Sequence, residues 1–144
     1  KIAARAALMA QSGQYNYSRC LKHREPAAAR LALDEFVRQA VSMVFLLNNS
    51  YMPYYKWAFR KLRELPLLPE LGEELSALLL SQTGEGTEEK KVRNGIEAVC
   101  GQIIGELKRQ GLTDGDWDYL EPHALCVMER IRDGQLRNMH VMEG

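Results

Sequence analysis

The chain has 144 residues, 46% of them apolar and 26% charged, with 19 Lys and Arg balanced by 19 Asp and Glu. That is the size and balance of one domain with a single core, and it excludes a collagen, a disordered tail and a disulfide scaffold. Val, Ile and Thr together number 15 against 20 Leu and 14 Ala, too few β-branched residues for a large sheet, so the expected fold is all-α.

In chain order, residues 2–12 predict a helix of Ala, Leu and Met that breaks near Gly13, and Tyr15 to Arg24 predict a second short helix. Pro26, suited to a first helical turn, opens the clearest element, a helix to about Asn49. Its apolar residues Leu33, Val37, Ala40, Val44 and Leu47 are joined by Phe36, Met43 and Leu46 on a second face, which predicts a central position in the bundle. Pro53 opens a helix to about Leu65, and residues 70–82 form a short acidic helix with Leu71, Leu75, Leu78 and Leu79 inward. Gln82 to Thr87 reads as a loop, and Thr87 offers only a partial cap because Lys90 stands where a capping box wants Glu. Val92, Ile96, Val99, Ile103 and Leu107 stripe a helix from Glu88 to Gln110, which Gly111 ends. Thr113 to Tyr119 is a turn. A last helix from Leu120 or Pro122 to Arg132 stops at Gly134, and the final ten residues fray. The whole reads as one domain, 1–144, an up-and-down bundle of four to five main helices. Its start at Lys1, inside a helical pattern, reads as a fragment of a longer protein.

The zero net charge conceals a split. Residues 1–63 hold eleven bases and three acids, and residues 64–144 eight bases and sixteen acids, so the halves carry +8 and −8. Either the first half meets an anion such as a nucleotide or nucleic acid, or the halves neutralise each other within the fold. Cys20, Cys100 and Cys126 lack CxxC spacing and read as reduced thiols in a cytoplasm. No signal peptide opens the chain, and the apolar run Val41 to Leu47 is far short of a membrane span, so no membrane partner is expected.

Two segments carry the chemistry. In Asn48-Asn49-Ser50-Tyr51-Met52-Pro53-Tyr54-Tyr55-Lys56-Trp57-Ala58-Phe59-Arg60, rings and bases gather at one helix corner. Such a corner can stack a ring and hold a phosphate, or it can be an aromatic plug sealing the bundle end with Lys56 and Arg60 solvated. In Tyr15 to Arg24, the bases Arg19, Lys22, His23 and Arg24 can clamp an anion or form a solvated helix face. Asp114-Gly115-Asp116 has an Asp-x-Asp form but reads as a turn that starts a helix, since Asp and Gly favour turns. His23, His123 and His140 share no metal-ligand spacing, and Cys20 has no third group for nucleophilic catalysis.

Leu33-Asp34-Glu35-Phe36-Val37, Leu46-Leu47-Asn48 and Tyr51-Met52-Pro53-Tyr54-Tyr55-Lys56-Trp57, with Tyr15-Asn16-Tyr17-Ser18-Arg19-Cys20 and Lys22 upstream, resemble an uncharacterised bacterial domain family that follows a nucleotidyltransferase-like domain. The resemblance covers about residues 10–70 and is similar in role to the substrate-binding bundles of kanamycin-type nucleotidyltransferases. It implies an accessory helical domain that closes the cleft of a catalytic domain in the same chain, itself not catalytic and holding no cofactor or metal. It places Mg²⁺ and nucleoside triphosphate in the parent protein and a nucleotide or small-molecule acceptor in the cleft; nucleic acid is not the expected partner. Substrate-binding positions on this reading are Arg19, Arg24, Asn48, Tyr51, Tyr54, Lys56, Trp57 and Arg60, converging on one hollow. In some relatives a bundle carboxylate is the general base; Glu35 or Asp34 stands here for that role, against a plain helix-surface pair of Asp34 with Arg38. The alternative function is a protein-interaction bundle, a partner module of nucleotidyltransferases. It predicts an exposed apolar patch at Tyr51–Trp57, where the substrate-domain reading predicts a concave basic pocket. A ribonuclease bundle fits poorly, because Arg19 and His23, and Arg137 and His140, are too closely spaced.

Overall fold

The computed structural model describes residues 1–82 and 86–144; Thr83, Gly84 and Glu85 of the expected 82–87 loop lie outside the described residues. The fold is all-α. Its helices are α1 (Ile2–Met9), continued by a π-helical segment (Ala10–Tyr17) into α2 (Ser18–Lys22), then α3 (Pro26–Leu47), α4 (Tyr55–Leu62), α5 (Leu71–Leu80), α6 (Thr87–Arg109), α7 (Leu120–Glu129) and α8 (Gly134–Arg137). With Ile2–Lys22 counted as one rod, the described residues form seven helices rather than four or five.

The expected break at Gly13 is absent. Gly13 is buried inside the π segment, and a Cβ there would clash with the Phe36 ring of α3. Glycine is present because another helix's side chain lies against its backbone, and the helix runs through it. The wider i→i+5 turns accommodate that approach without ending the hydrogen-bonded rod.

Twenty-two residues make α3 about 33 Å long. It packs against α1, the π segment, α2, α4, α5 and α6, as its two apolar faces require. Leu33, Phe36, Ala40, Met43 and Val44 are all fully buried along it. Its end is a Schellman turn: the Asn49 and Ser50 amides donate to the Leu46 and Phe45 carbonyls, with Asn49 at φ 54°. Arg24 at φ 60° closes α2 in the same way, its amide and that of Glu25 donating to Leu21 and Cys20. Gly111 closes α6 as expected, at φ 69°.

Other boundaries differ. α4 is shorter than the span Pro53–Leu65, since only Ala58 and Leu62 of its eight residues are buried and the flanks run as irregular chain. α6 starts after Gly86 with no side-chain cap from Thr87. α7 ends at Glu129, and Gly134 begins a helix instead of stopping one, because the Asp133 carboxylate accepts from the Gln135 and Leu136 amides. The last residues are partly tied down: Val141 and Met142 pack on the core, and Arg5 donates to the Gly144 carbonyl at 2.6 Å. Among the described residues no helix is long and apolar enough to cross a membrane.

The charge split is not resolved by mutual pairing. Among the described residues only Lys61–Glu64 and Arg63–Glu73 join a base of residues 1–63 to an acid of residues 64–144. Arg19, Lys22, Arg24, Lys56 and Arg60 have no ion-pair partner among them.

Candidate functional site

An eight-residue helix can bury one face only, and the face that α4 buries is Ala58 and Leu62, with Phe59 partly covered. Everything else turns outward. Tyr51, Tyr54, Tyr55 and Trp57 are 73%, 66%, 71% and 49% exposed, so they are not a plug in the bundle end. Lys56 and Arg60 are exposed between them, and the Lys56 ammonium lies 5.6 Å from the Trp57 ring centre, within cation–π range. The Tyr54 and Tyr55 rings stand 4.4 Å apart and tilted by 43°. The Tyr55 side chain beside it pushes the Tyr54 phenol above its ordinary pKa.

Beside this aromatic and basic face runs a groove of about 350 Å³ between α3 and α4, lined also by Leu79 of α5. Val37, Val41, Met52, Ala58 and Phe59 make its walls apolar, and Asp34 and Arg38 stand at its rim. Of those two, Asp34 lies 2.9 Å from Arg30 and not on Arg38, in an ion pair that is close without being an aligned hydrogen bond. Arg38 instead grips Glu35 with both forks, at 2.9 and 3.0 Å. Glu35 also accepts from Gln39, whose own carbonyl takes a 2.7 Å bond from Arg5. Both Glu35 oxygens are thereby engaged in a chain that ties α1 to α3. Asn48 is similarly occupied: its amide nitrogen donates to Val44 and Leu67, and its oxygen accepts from the Leu67 amide at 2.9 Å, pinning the α4–α5 connection to the end of α3.

The basic stretch Arg19–Arg24 lies elsewhere. Arg19, Lys22 and His23 line a groove of about 430 Å³ with Tyr15, and the wall opposite is Arg93 of α6. Arg24 serves as the left-handed residue that ends α2. The two stretches therefore share no hollow: Arg19 lines the α2–α6 groove, whereas Tyr51, Tyr54, Lys56, Trp57 and Arg60 stand around α4 and line neither groove. Arg93 is the residue that the sequence did not single out, because nothing in a polar helix face announces a neighbour seventy positions earlier.

The remaining chemistry-bearing residues are packed or paired. His123 is fully buried, with Nδ1 2.8 Å from the Thr113 hydroxyl and Nε2 2.8 Å from the Trp117 carbonyl, so it braces the turn before α7. In the Asp-x-Asp turn, Asp116 meets Lys108 at 2.8 Å, which holds its carboxyl below the usual range, and Asp114 meets Arg130 at 3.3 Å. Burial pushes the Cys100 thiol far up. Among the described residues no three His, Cys, Asp or Glu side chains are grouped to hold a metal ion.

Residues 1–58 match the model of a family described as a domain of unknown function (DUF4037). The match takes in the whole rod Ile2–Lys22, α3 and the first residues of the aromatic face. No curated protein and no solved structure matches the chain.

Proposed function

We propose that this chain is the accessory helical domain of a nucleotidyltransferase-like protein, and that it docks on the catalytic domain through the aromatic and basic face of α4. The observation that carries the docking is the exposure of four rings, Tyr51, Tyr54, Tyr55 and Trp57, at one corner, an apolar patch where direct substrate binding predicts a concave basic pocket. Tyr and Trp are the residues that bury most area per ordered side chain at an interface, and a soluble domain gains nothing by leaving four of them in water. The groove alongside has apolar walls, which suit a protein side chain better than a phosphate. On this reading the face closes a cleft by contact with protein, and Lys56 and Arg60 stand at its edge, where a substrate's negative charge would fall. The Mg²⁺ and nucleoside triphosphate then belong to the catalytic domain.

The same apolar lining supports a second reading, a protein-interaction bundle that docks on a separate chain. The coding sequence upstream of Lys1 separates the two. The first reading expects a Gly-Ser turn followed by Asp-x-Asp there, and is overturned without it. In the two-domain protein, Trp57→Ala and Lys56→Ala should each weaken nucleoside triphosphate binding by about tenfold. Unchanged affinity in both variants removes the closing role.

A further inference from the structure

We infer that the groove between α2 and α6 is a separate binding site for a small molecule bearing a di- or triphosphate. It stands independently of the docking role of α4. Three cations from two elements, Arg19, Lys22 and Arg93, line it together with His23, Tyr15 and Ser18, and no carboxylate is among the lining residues. None of the three cations has an ion-pair partner among the described residues. Unpaired guanidinium groups facing each other across a concavity repel, and the arrangement persists at least cost when an anion lies between them.

Arg19 is also held in place. Its Nη1 donates to the Tyr15 hydroxyl at 2.7 Å and its guanidinium carbon lies 5.3 Å from the Tyr15 ring centre. That leaves Nε and Nη2 as a fork for phosphate oxygens. On the α6 side, the nearest turns carry Glu89 and Glu97 beside Arg93, and Glu97 is already engaged by the Gln14 amide at 2.7 Å. The π segment sets the rotation between α1 and α2, and hence the direction of Arg19; such segments recur at functional sites.

Volume and charge choose the ligand. About 430 Å³ is within the range of small-molecule sites, and three cations with one His suit the roughly three to four negative charges of a di- or triphosphate. A nucleic-acid backbone needs bases spaced along a track, and here they are gathered at one hollow.

Calorimetric titration of the full chain with inorganic pyrophosphate at low salt tests the site. Saturable one-site binding is expected, weakened about tenfold by Arg93→Gln and by Arg19→Gln and unchanged by Arg132→Gln. Circular dichroism of the three variants confirms that they fold, since all these residues are exposed. Absence of saturation through the millimolar range overturns the proposal, as does binding that survives both substitutions. Citrate binding as tightly as pyrophosphate would overturn the phosphate assignment, and a single-stranded oligonucleotide binding more tightly would overturn the small-molecule one.

Discussion

Tyr17 shows how a single side chain can be fully buried and yet incompletely satisfied. Its ring is sealed in the core, and its hydroxyl finds no hydrogen-bond partner among the described residues. A buried orphan hydroxyl costs about 1–3 kcal/mol, so Tyr17→Phe, which removes the oxygen and keeps the ring, should leave stability at pH 7 unchanged or raise it by about 1 kcal/mol in urea unfolding. Burial raises the phenol's pKa, with Glu89 and Glu88 adding to the effect and Arg30 opposing it. A raised folded-state pKa means that the neutral phenol's contribution is intact below the ordinary value of about 10 and is lost as pH climbs through the folded one. Alkaline unfolding of Tyr17→Phe should therefore begin at higher pH than that of the parent chain. Asn48 makes a different point: its amide reads from sequence as a ligand contact, and its two bonds to Leu67 emerge only when residues nineteen apart in the chain are seen side by side.

Among the elements, α3 and α6 were legible because their signals are local: Pro26 at the first turn, apolar repeats of three and four, Gly111 at the end. The rod Ile2–Lys22 was not. Gly13 carries the same letter whether it breaks a helix or admits a neighbour, and only the Phe36 ring against its backbone decides which. Gly13→Ala follows from that contact. Helix propensity alone gives about 1 kcal/mol in favour of Ala, whereas a methyl group forced against the Phe36 ring costs about 1–3 kcal/mol. Thermal denaturation should show a lower Tm for Gly13→Ala, and Phe36→Leu in the same chain should restore part of it. The sequence leaves the α4 corner open between a ring-stacking site and an aromatic plug, because rings at helical spacing are commonly core. The plug fails on length: the element is too short to bury more than one side of itself.

At the scale of the molecule, the opposite charges of the two halves mostly pair within each half, and every ion pair of the described residues has at least one partner with substantial exposure. Exposed pairs contribute about 0–1 kcal/mol each, and screening them also relieves repulsion among the unpaired bases of residues 1–63. Stability should therefore respond weakly to sodium chloride: a Tm shift below about 4 °C between low and high salt, by calorimetry. The same salt series would abolish pyrophosphate binding if the α2–α6 groove works as inferred, so one titrant separates what holds the fold from what occupies it. The all-α class was legible from composition, whereas the meeting of Arg19 with Arg93 depends on the rotation of one rod. That rotation is buffered against changes in length. Eight residues of over-wide turns act as slack in the rod, and deleting one of them would let it tighten into ordinary α-helix, the narrower turns taking up most of the rotation lost with the residue. A change of one residue in length at this stretch would thus be absorbed locally, leaving the packing of α1 and the outlook of the downstream face much as they are.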